Sequence, residues 1–186
     1  MITHAHFDHD AADRLPESAS LLRMPGELRY RDLSVSGIRD LHSNPRGTLP
    51  DFPNVMYRLE ASGLRFLHIG DNRAAWPAEV AESVGEVDVL MVTVDDSDHL
   101  LTYQEVDSLI DRLNPKVVIP MHYQIPDLIP DSAGLQPPDG WLATHTPVKR
   151  LKRDSTTFSA QEMPAVTEIW VFDPSPKSLA APEATP

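Results

Sequence analysis

The sequence predicts an α/β fold, because strand-like and helix-like segments alternate between residues 64 and 120. Residues 87–94 form an almost continuous apolar run, which is typical of a strand buried on both faces of a sheet. Residues 102–113 carry apolar side chains at the three- and four-residue spacing of an amphipathic helix. Residues 117–120 form a second buried strand. Strands that alternate with helices in this way build a layered α/β domain.

The other elements are assigned from turn residues and local apolar patterns. The clearest is a hairpin, in which Ser62-Gly63 separates strands over residues 55–61 and 64–69. A loosely alternating strand over residues 33–41 precedes the hairpin, and a helix over residues 76–84 follows it. The remaining predicted elements are a strand end at residues 1–3, a short helical piece around 11–15 within an irregular stretch from 10 to 32, a short helix at 140–144, and strands at 149–153 and 168–172.

Composition limits the classes of function. The chain has 186 residues and no cysteine, so a metal ion must be held by His, Asp or Glu. The absence of cysteine also fits the cytoplasm, which is the expected location. No apolar run approaches the roughly 20 residues needed to cross a bilayer. The net charge of −12 disfavours binding to a phosphate backbone. We therefore expect a small-molecule substrate, and neither a nucleic-acid partner nor a membrane partner.

The chain divides into one folded domain and a short tail. We expect the domain over residues 1–173, since the apolar fraction of 41% is enough to build a core. Residues 174–186 are rich in Pro, Ala and Ser without an apolar period, and this composition predicts disorder.

A cluster of ligand-type side chains lies at the start of the sequence. In an extended backbone, His4, His6 and Asp8 point to the same side. His9 joins them if the chain turns at Asp8. Neutral imidazole and carboxylate are suitable ligands for Zn²⁺, and also for Fe or Mn. The cluster therefore predicts a metal site.

The string T-H-A-H-F-D-H, residues 3–9, resembles the T-H-x-H-x-D-H signature of the metallo-β-lactamase superfamily. The similarity continues in the family's order through F-L-H-I-G-D, which ends at Asp71, and V-I-P-M-H-Y, which contains His122. His42 occupies the place of the family's middle histidine. The match runs from residue 2 to about residue 124 and is closest to small lactonase-like and uncharacterised hydrolase branches.

The resemblance implies a dinuclear site. Asp71 would bridge the two metals, and Asp8 and Asp71 would be the catalytic carboxylates. The implied ligands are His4, His6 and His42 for the first metal, and Asp8, His9 and His122 for the second.

Two divalent ions that share a bridging ligand would also share a water and convert it to hydroxide. The family relation therefore implies a metal-dependent hydrolase, with zinc as the expected metal and iron or manganese left open. A small ester, lactone or phosphoester is the expected substrate. The string G-x-S-x-G is absent, which fits a mechanism without a serine nucleophile.

Three further side chains lie near the predicted site in the sequence. His99 follows the buried strand at residues 87–94, and Tyr123 adjoins His122, so both are candidates for substrate binding. The alternatives are a solvated loop for His99 and packing for Tyr123. His68 alternates away from Asp71 along its strand and is assigned a structural role.

The position of the signature carries a further expectation. In the family it lies in the middle of a duplicated αββα sandwich, and here it begins at residue 3. The resemblance therefore implies a metallo-β-lactamase αββα sandwich with a mixed sheet, truncated at its N-terminus. An uncovered sheet edge would favour a homo-oligomer. The alternatives to an active hydrolase are a non-enzymatic metal-binding remnant or gene fragment, and a di-iron redox protein.

Overall fold

A computed structural model describes residues 1–6, 9–10, 22, 25–47, 50–97, 100–126, 128 and 134–175. The strands are β1 (Gly26–Tyr30), β2 (Leu33–Leu41), β3 (Pro53–Ala61), β4 (Leu64–His68), β5 (Val89–Thr93), β6 (Val117–Met121), β7 (Val148–Arg150) and β8 (Glu168–Val171). The helices are α1 (Ala78–Val84), α2 (Tyr103–Leu113), α3 (Asp139–Leu142) and a 3₁₀ turn at Ala160–Glu162.

The eight strands form one mixed sheet in the order β1-β2-β3-β4-β5-β6-β8-β7. Strands β1 to β4 are antiparallel neighbours, whereas β4, β5, β6, β8 and β7 pair in parallel. The predicted α/β fold with a mixed sheet is confirmed. Because β4, β5 and β6 run the same way, the loops after their carboxyl ends meet at one edge of the sheet.

The helices pack on one face of this sheet. Val106 and Leu109 of α2 are buried in the same cluster as Leu67, Leu90 and Val118 of the central strands. Helix α2 begins with a capping box, in which the side chain of Thr102 accepts a hydrogen bond from the backbone N–H of Glu105 while the Glu105 carboxylate accepts one from the backbone N–H of Thr102. The cap fixes where α2 begins on the sheet.

The opposite face has smaller apolar clusters. Val89, Val117 and Trp170 are buried there, with Phe158 packed edge-on against Trp170 at a centroid distance of 5.3 Å. Near the other end of the sheet, Tyr57 is fully buried. Leu90 and Val89 belong to different clusters because successive side chains of a strand point to opposite faces.

Several elements differ from the sequence prediction. The stretch from 10 to 32 was predicted to be irregular, but it contains β1, whose five residues are exposed and pair with β2. Residues 1–3 are not a strand, although Thr3 still accepts a backbone hydrogen bond from β3. The predicted helix at 11–15 lies outside the described residues, as does most of the predicted tail, from residue 176 onward. Within the described part of the chain, no helix is long and apolar enough to cross a membrane.

Candidate metal centre

The first segment of the chain is held against β3. The backbone N–H of Val55 donates to the carbonyl of Thr3 at 2.8 Å. The hydroxyl of Tyr57 lies within hydrogen-bond distance of the carbonyl oxygens of Ile2, at 2.7 Å, and Leu22, at 2.9 Å. These contacts place His4, which is 6% exposed, at the edge where β4 and β6 end.

Four histidines converge on one oxygen of Asp71. The Oδ2 atom lies 3.4 Å from Nε2 of His9, 3.5 Å from Nε2 of His42, 3.6 Å from Nε2 of His4 and 3.8 Å from Nε2 of His122. Asp71 itself is 2% exposed. A buried carboxylate surrounded by four imidazoles is therefore the centre of the cluster.

His6 joins this group from the solvent side. It is exposed, and its Nδ1 lies 3.1 Å from Nε2 of His4. Its ring stacks on Phe52 with a centroid distance of 4.8 Å and an interplanar angle of 10°. Two sets of ligand atoms come within 4.8 Å of one another, one from His4, His6 and His42 and one from His4, His9 and Asp71.

In His42 and His122, an oxygen atom lies close to Nδ1, the ring nitrogen that does not face Asp71. Nδ1 of His42 is 2.6 Å from the carbonyl of Ser43, and Nδ1 of His122 is 3.5 Å from Oδ2 of Asp95. Asp95 is fully buried and its other oxygen accepts a hydrogen bond from the backbone N–H of Ser97 at 3.0 Å. An oxygen behind Nδ1 orients an imidazole so that Nε2 points to the opposite side, here toward Asp71.

A buried polar network fixes the loop that carries Asp71. The side-chain amide of Asn54 donates to the carbonyl of Ile69 and to Oδ1 of Asn72, both at 2.9 Å. The amide of Asn72 donates to Oδ2 of Asp40 at 2.7 Å. Arg73 in turn donates to Asp40 through Nη2 at 2.6 Å. Asn54 thus bridges the residues on both sides of Gly70 and Asp71, and the loop is held in one conformation.

The charges in the cluster separate the pKa values of its members. Burial raises the pKa of Asp71, but the close approach of His42 and the nearby charge of His122 outweigh it and lower that pKa to about 2. Burial and the charge of His9 lower the pKa of His4 to about 4. Asp71 therefore carries a negative charge at neutral pH, while His4 is neutral and able to act as a ligand.

Two other histidines are shifted in the opposite direction. Burial lowers the pKa of His122, but the nearby carboxylate of Asp95 and the charge of Asp71 raise it to about 9. Burial acts in the same way on His42, but the nearby carboxylate of Asp71 and the hydrogen bond to Ser43 raise its pKa above the ordinary value. Without a cation in the cluster, a proton on His122 would balance the negative charge of Asp71.

The donor set fits a divalent cation. Among the described residues, Oδ1 of Asp71 and Nε2 of His42 are buried without a hydrogen-bond partner. A buried polar atom left unpaired is costly unless a ligand or ion satisfies it. Imidazole nitrogen and carboxylate oxygen are ligands for zinc and other transition metals.

Comparison with protein families adds an independent observation. The model of the β-lactamase superfamily domain matches residues 1–122 of the 186. The chain belongs to the metallo-β-lactamase superfamily. This is the family that the signature at residues 3–9 predicted.

Two solved structures have a similar fold. A candidate zinc-dependent hydrolase of the metallo-β-lactamase superfamily from Thermotoga maritima is 26% identical, with a TM-score of 0.68 over 91% of this chain and 79% of the other. A candidate metal-dependent hydrolase from Parabacteroides distasonis is 19% identical, with a TM-score of 0.52 over 66% of this chain and 64% of the other. Comparison with curated proteins gives no match.

The structure brings together most of the residues that the metallo-β-lactamase signature predicted. His4, His9, His42 and His122 surround Asp71, and their role as ligands stays a prediction. His6 lies at the edge of the same group. Asp8 and His99, predicted as a ligand and a substrate contact, lie outside the described residues.

Two predicted neighbours of the site are placed differently from one another. Nδ1 of His68 accepts a hydrogen bond from the backbone N–H of Gly70 at 3.1 Å, in keeping with the structural role assigned to it. Tyr123 is half-buried, and burial raises its pKa although the charge of Arg150 acts to lower it. Its contact with substrate remains a prediction.

Sequence reasoning missed the residues that support the ligands. Asp95 could have been noticed, because it follows a predicted buried strand at the same edge as the site. Asn54, Asn72 and Asp40 gave no such signal, since they meet only through the pairing of β2, β3 and β4.

Proposed function

We propose that this chain is a metal-dependent hydrolase with a dinuclear centre, in which zinc is the resident metal. The observation that carries the proposal is the convergence of four Nε2 atoms, from His4, His9, His42 and His122, within 3.8 Å of Oδ2 of Asp71. Burying four imidazole rings around one carboxylate is costly unless a cation is bound, because these titratable groups lie close together away from water.

The ligands would form two sets, one for each metal ion. The first would be held by His4, His6 and His42, and the second by Asp8, His9 and His122, with Asp71 shared. Divalent ions bound there would supply Lewis acidity, activating a water and polarising the carbonyl or phosphoryl group of a substrate. Asp71 supplies the shared negative charge, since its pKa of about 2 keeps it ionised at neutral pH.

A small ester, lactone or phosphoester is the substrate class that we propose. A cavity of about 330 Å³ has His42 in its lining, and this volume suits a small molecule. Its lining also includes Asp51, which is exposed and is a candidate contact for polar groups of the substrate. The net charge of −12 argues against a nucleic-acid substrate.

The test combines metal analysis with hydrolysis assays on the whole chain. Purified protein would be loaded with zinc, its metal content measured, and its turnover of a generic lactone and a generic phosphodiester recorded. His6→Ala is the informative variant, because His6 is exposed and its loss should cost the fold little. His145→Ala is the control, since His145 contacts Asp107 and Trp141 instead of the cluster.

The proposal expects two zinc ions per chain, turnover of at least one substrate, and loss of turnover in His6→Ala but not in His145→Ala. Zinc binding without turnover of either substrate would indicate a metal-binding protein that is not a hydrolase of this class. Less than one zinc ion per chain would overturn the metal centre itself.

A further inference from the structure

Thr3 lies directly behind two of the clustered histidines. Its Oγ1 is 3.0 Å from Nδ1 of His4 and 3.2 Å from Nδ1 of His9. The two imidazole rings lie side by side, with centroids 4.1 Å apart and planes tilted by 36°. A single hydroxyl is thus within hydrogen-bond distance of both rings, and Thr3 as a residue is 6% exposed.

The hydrogen-bonding capacity of a hydroxyl suits this arrangement. Its oxygen has two lone pairs, so it can accept one hydrogen bond from each ring. A neutral imidazole carries its proton on one nitrogen and a lone pair on the other. If Nδ1 of His4 and of His9 donates to Thr3, the lone pair of each ring is on Nε2. Those are the nitrogens that lie 3.6 Å and 3.4 Å from Oδ2 of Asp71.

The position of this hydroxyl is fixed from two sides. The Thr3 carbonyl accepts the backbone N–H of Val55 at 2.8 Å, which ties the residue to β3. Its side chain also packs against Gly70, where a Cβ atom would lie 2.8 Å from both Cβ and Cγ2 of Thr3. The rotamer of Thr3 is therefore held by packing, and the oxygen stays directed at the two rings.

We propose that the Thr3 hydroxyl is a positioning group shared by two ligands, because it accepts hydrogen bonds from Nδ1 of His4 and of His9 and directs both Nε2 lone pairs into the centre. This inference rests on the proposed metal centre. In that centre His4 belongs to the first proposed ligand set and His9 to the second. The Thr3 side chain would therefore support both metals.

The claim predicts how metal affinity depends on this residue. Removing an outer hydrogen-bond partner of a metal-bound histidine typically lowers metal affinity by about 10- to 100-fold. Thr3→Val keeps the shape of the side chain, including the methyl group that packs on Gly70, but it removes the hydroxyl. We expect both zinc-binding steps to weaken by about this factor, and Thr3→Ser to restore them.

The experiment measures both zinc-binding steps by chelator competition in the wild type, Thr3→Val and Thr3→Ser. The matched control is Thr93→Val, since Thr93 is 1% exposed and its hydroxyl has no hydrogen-bond partner among the described residues. A second readout is nitrogen-15 NMR of the zinc-loaded proteins. The Nδ1 protons of His4 and His9 should be protected from solvent exchange in the wild type and in Thr3→Ser, and unprotected in Thr3→Val.

The outcomes separate this inference from the proposed function. A wild-type chain that binds no zinc would overturn both. Normal zinc binding by Thr3→Val, with protected Nδ1 protons, would overturn the role of Thr3 alone. Weak binding that Thr3→Ser does not restore would also count against it, because the loss would then come from packing. Weakening of both steps in Thr3→Val, with Thr93→Val unchanged, would support it.

Discussion

Gly70 occupies a position that an L-residue can fill only with strain. Its φ of +58° lies in the left-handed region, and the backbone approaches Thr3 and Asn54 closely. A Cβ built on Gly70 would lie 2.8 Å from two atoms of Thr3 and 3.0 Å from Oδ1 of Asn54. Thr3 and Asn54 are both buried and held by hydrogen bonds, so relief requires movement of the chain at Thr3 or of the Asn54–Asn72–Asp40 network.

The cost of Gly70→Ala can be separated into two parts. The left-handed conformation costs an alanine about 1–2 kcal/mol, partly offset by the lower entropy of the unfolded chain. Overpacking in a tightly filled site adds about 1–3 kcal/mol. We therefore expect the free energy of unfolding to fall by about 2–4 kcal/mol. That is a large part of the roughly 5–15 kcal/mol available to a natural domain.

Urea unfolding in the presence of a chelator measures this loss without a contribution from bound metal. Gly63→Ala is the matched control, because Gly63 has a φ of +77° and nothing within 4 Å of its built Cβ. It should lose about 1 kcal/mol or less, from the backbone term alone. Equal losses for Gly70→Ala and Gly63→Ala would refute the close packing of Thr3 on Gly70.

Two other changes test the groups that surround the cluster. In the metal-free protein the pKa of His122 is about 9, above the ordinary value of 6.5. Protonated His122 therefore stabilises the folded chain fully below pH 6.5, and this stabilisation is lost as the pH rises through 9. In Asp95→Asn, the free energy of unfolding should fall less over this pH range. The same pH dependence in the variant and the wild type would contradict the contact between His122 and Asp95. Asp40→Ala should lower the unfolding free energy by about 3 kcal/mol, because it leaves Asn72 and Arg73 without their shared acceptor. Urea titration measures this, and a loss below about 0.5 kcal/mol, the range of an ordinary surface substitution, would exclude a structural role for the network.

The sequence predicted the elements that have a clear local pattern of apolar or turn residues. Strand β2 begins and ends at the predicted residues, 33 and 41, and the turn at Ser62-Gly63 joins β3 and β4 as expected. Strand β1 was missed because its alternation is short, with only Leu28 and Tyr30 as apolar members, and because all five of its residues are exposed. It exists through pairing with β2, which is a tertiary property that a local window cannot detect.

In the candidate site, too, local sequence features were predicted and tertiary contacts were not. The signature and the strand-end positions pointed to His42, Asp71 and His122, because ligand-type residues at these positions are visible in the sequence. The supporting contacts were not predicted. Asn54 contacts Asn72 across 18 residues of sequence, and the contact depends on the register of β3 against β4. Polar residues such as these resemble ordinary loop and strand residues until the sheet is assembled.

The attachment of the first segment has a kinetic consequence. His4, His6 and His9 belong to a stretch that is joined to β3 through the Thr3–Val55 hydrogen bond and the Tyr57 hydroxyl, whereas other members of the cluster follow strands of the sheet. Detachment of this stretch is a local opening that needs less free energy than unfolding of the sheet. If the centre holds two metal ions as proposed, this opening would withdraw ligands from both of them in one event. The residence time of the metals should therefore follow the opening rate of the N-terminal segment, measurable by hydrogen exchange at Val55, more closely than the stability of the whole domain.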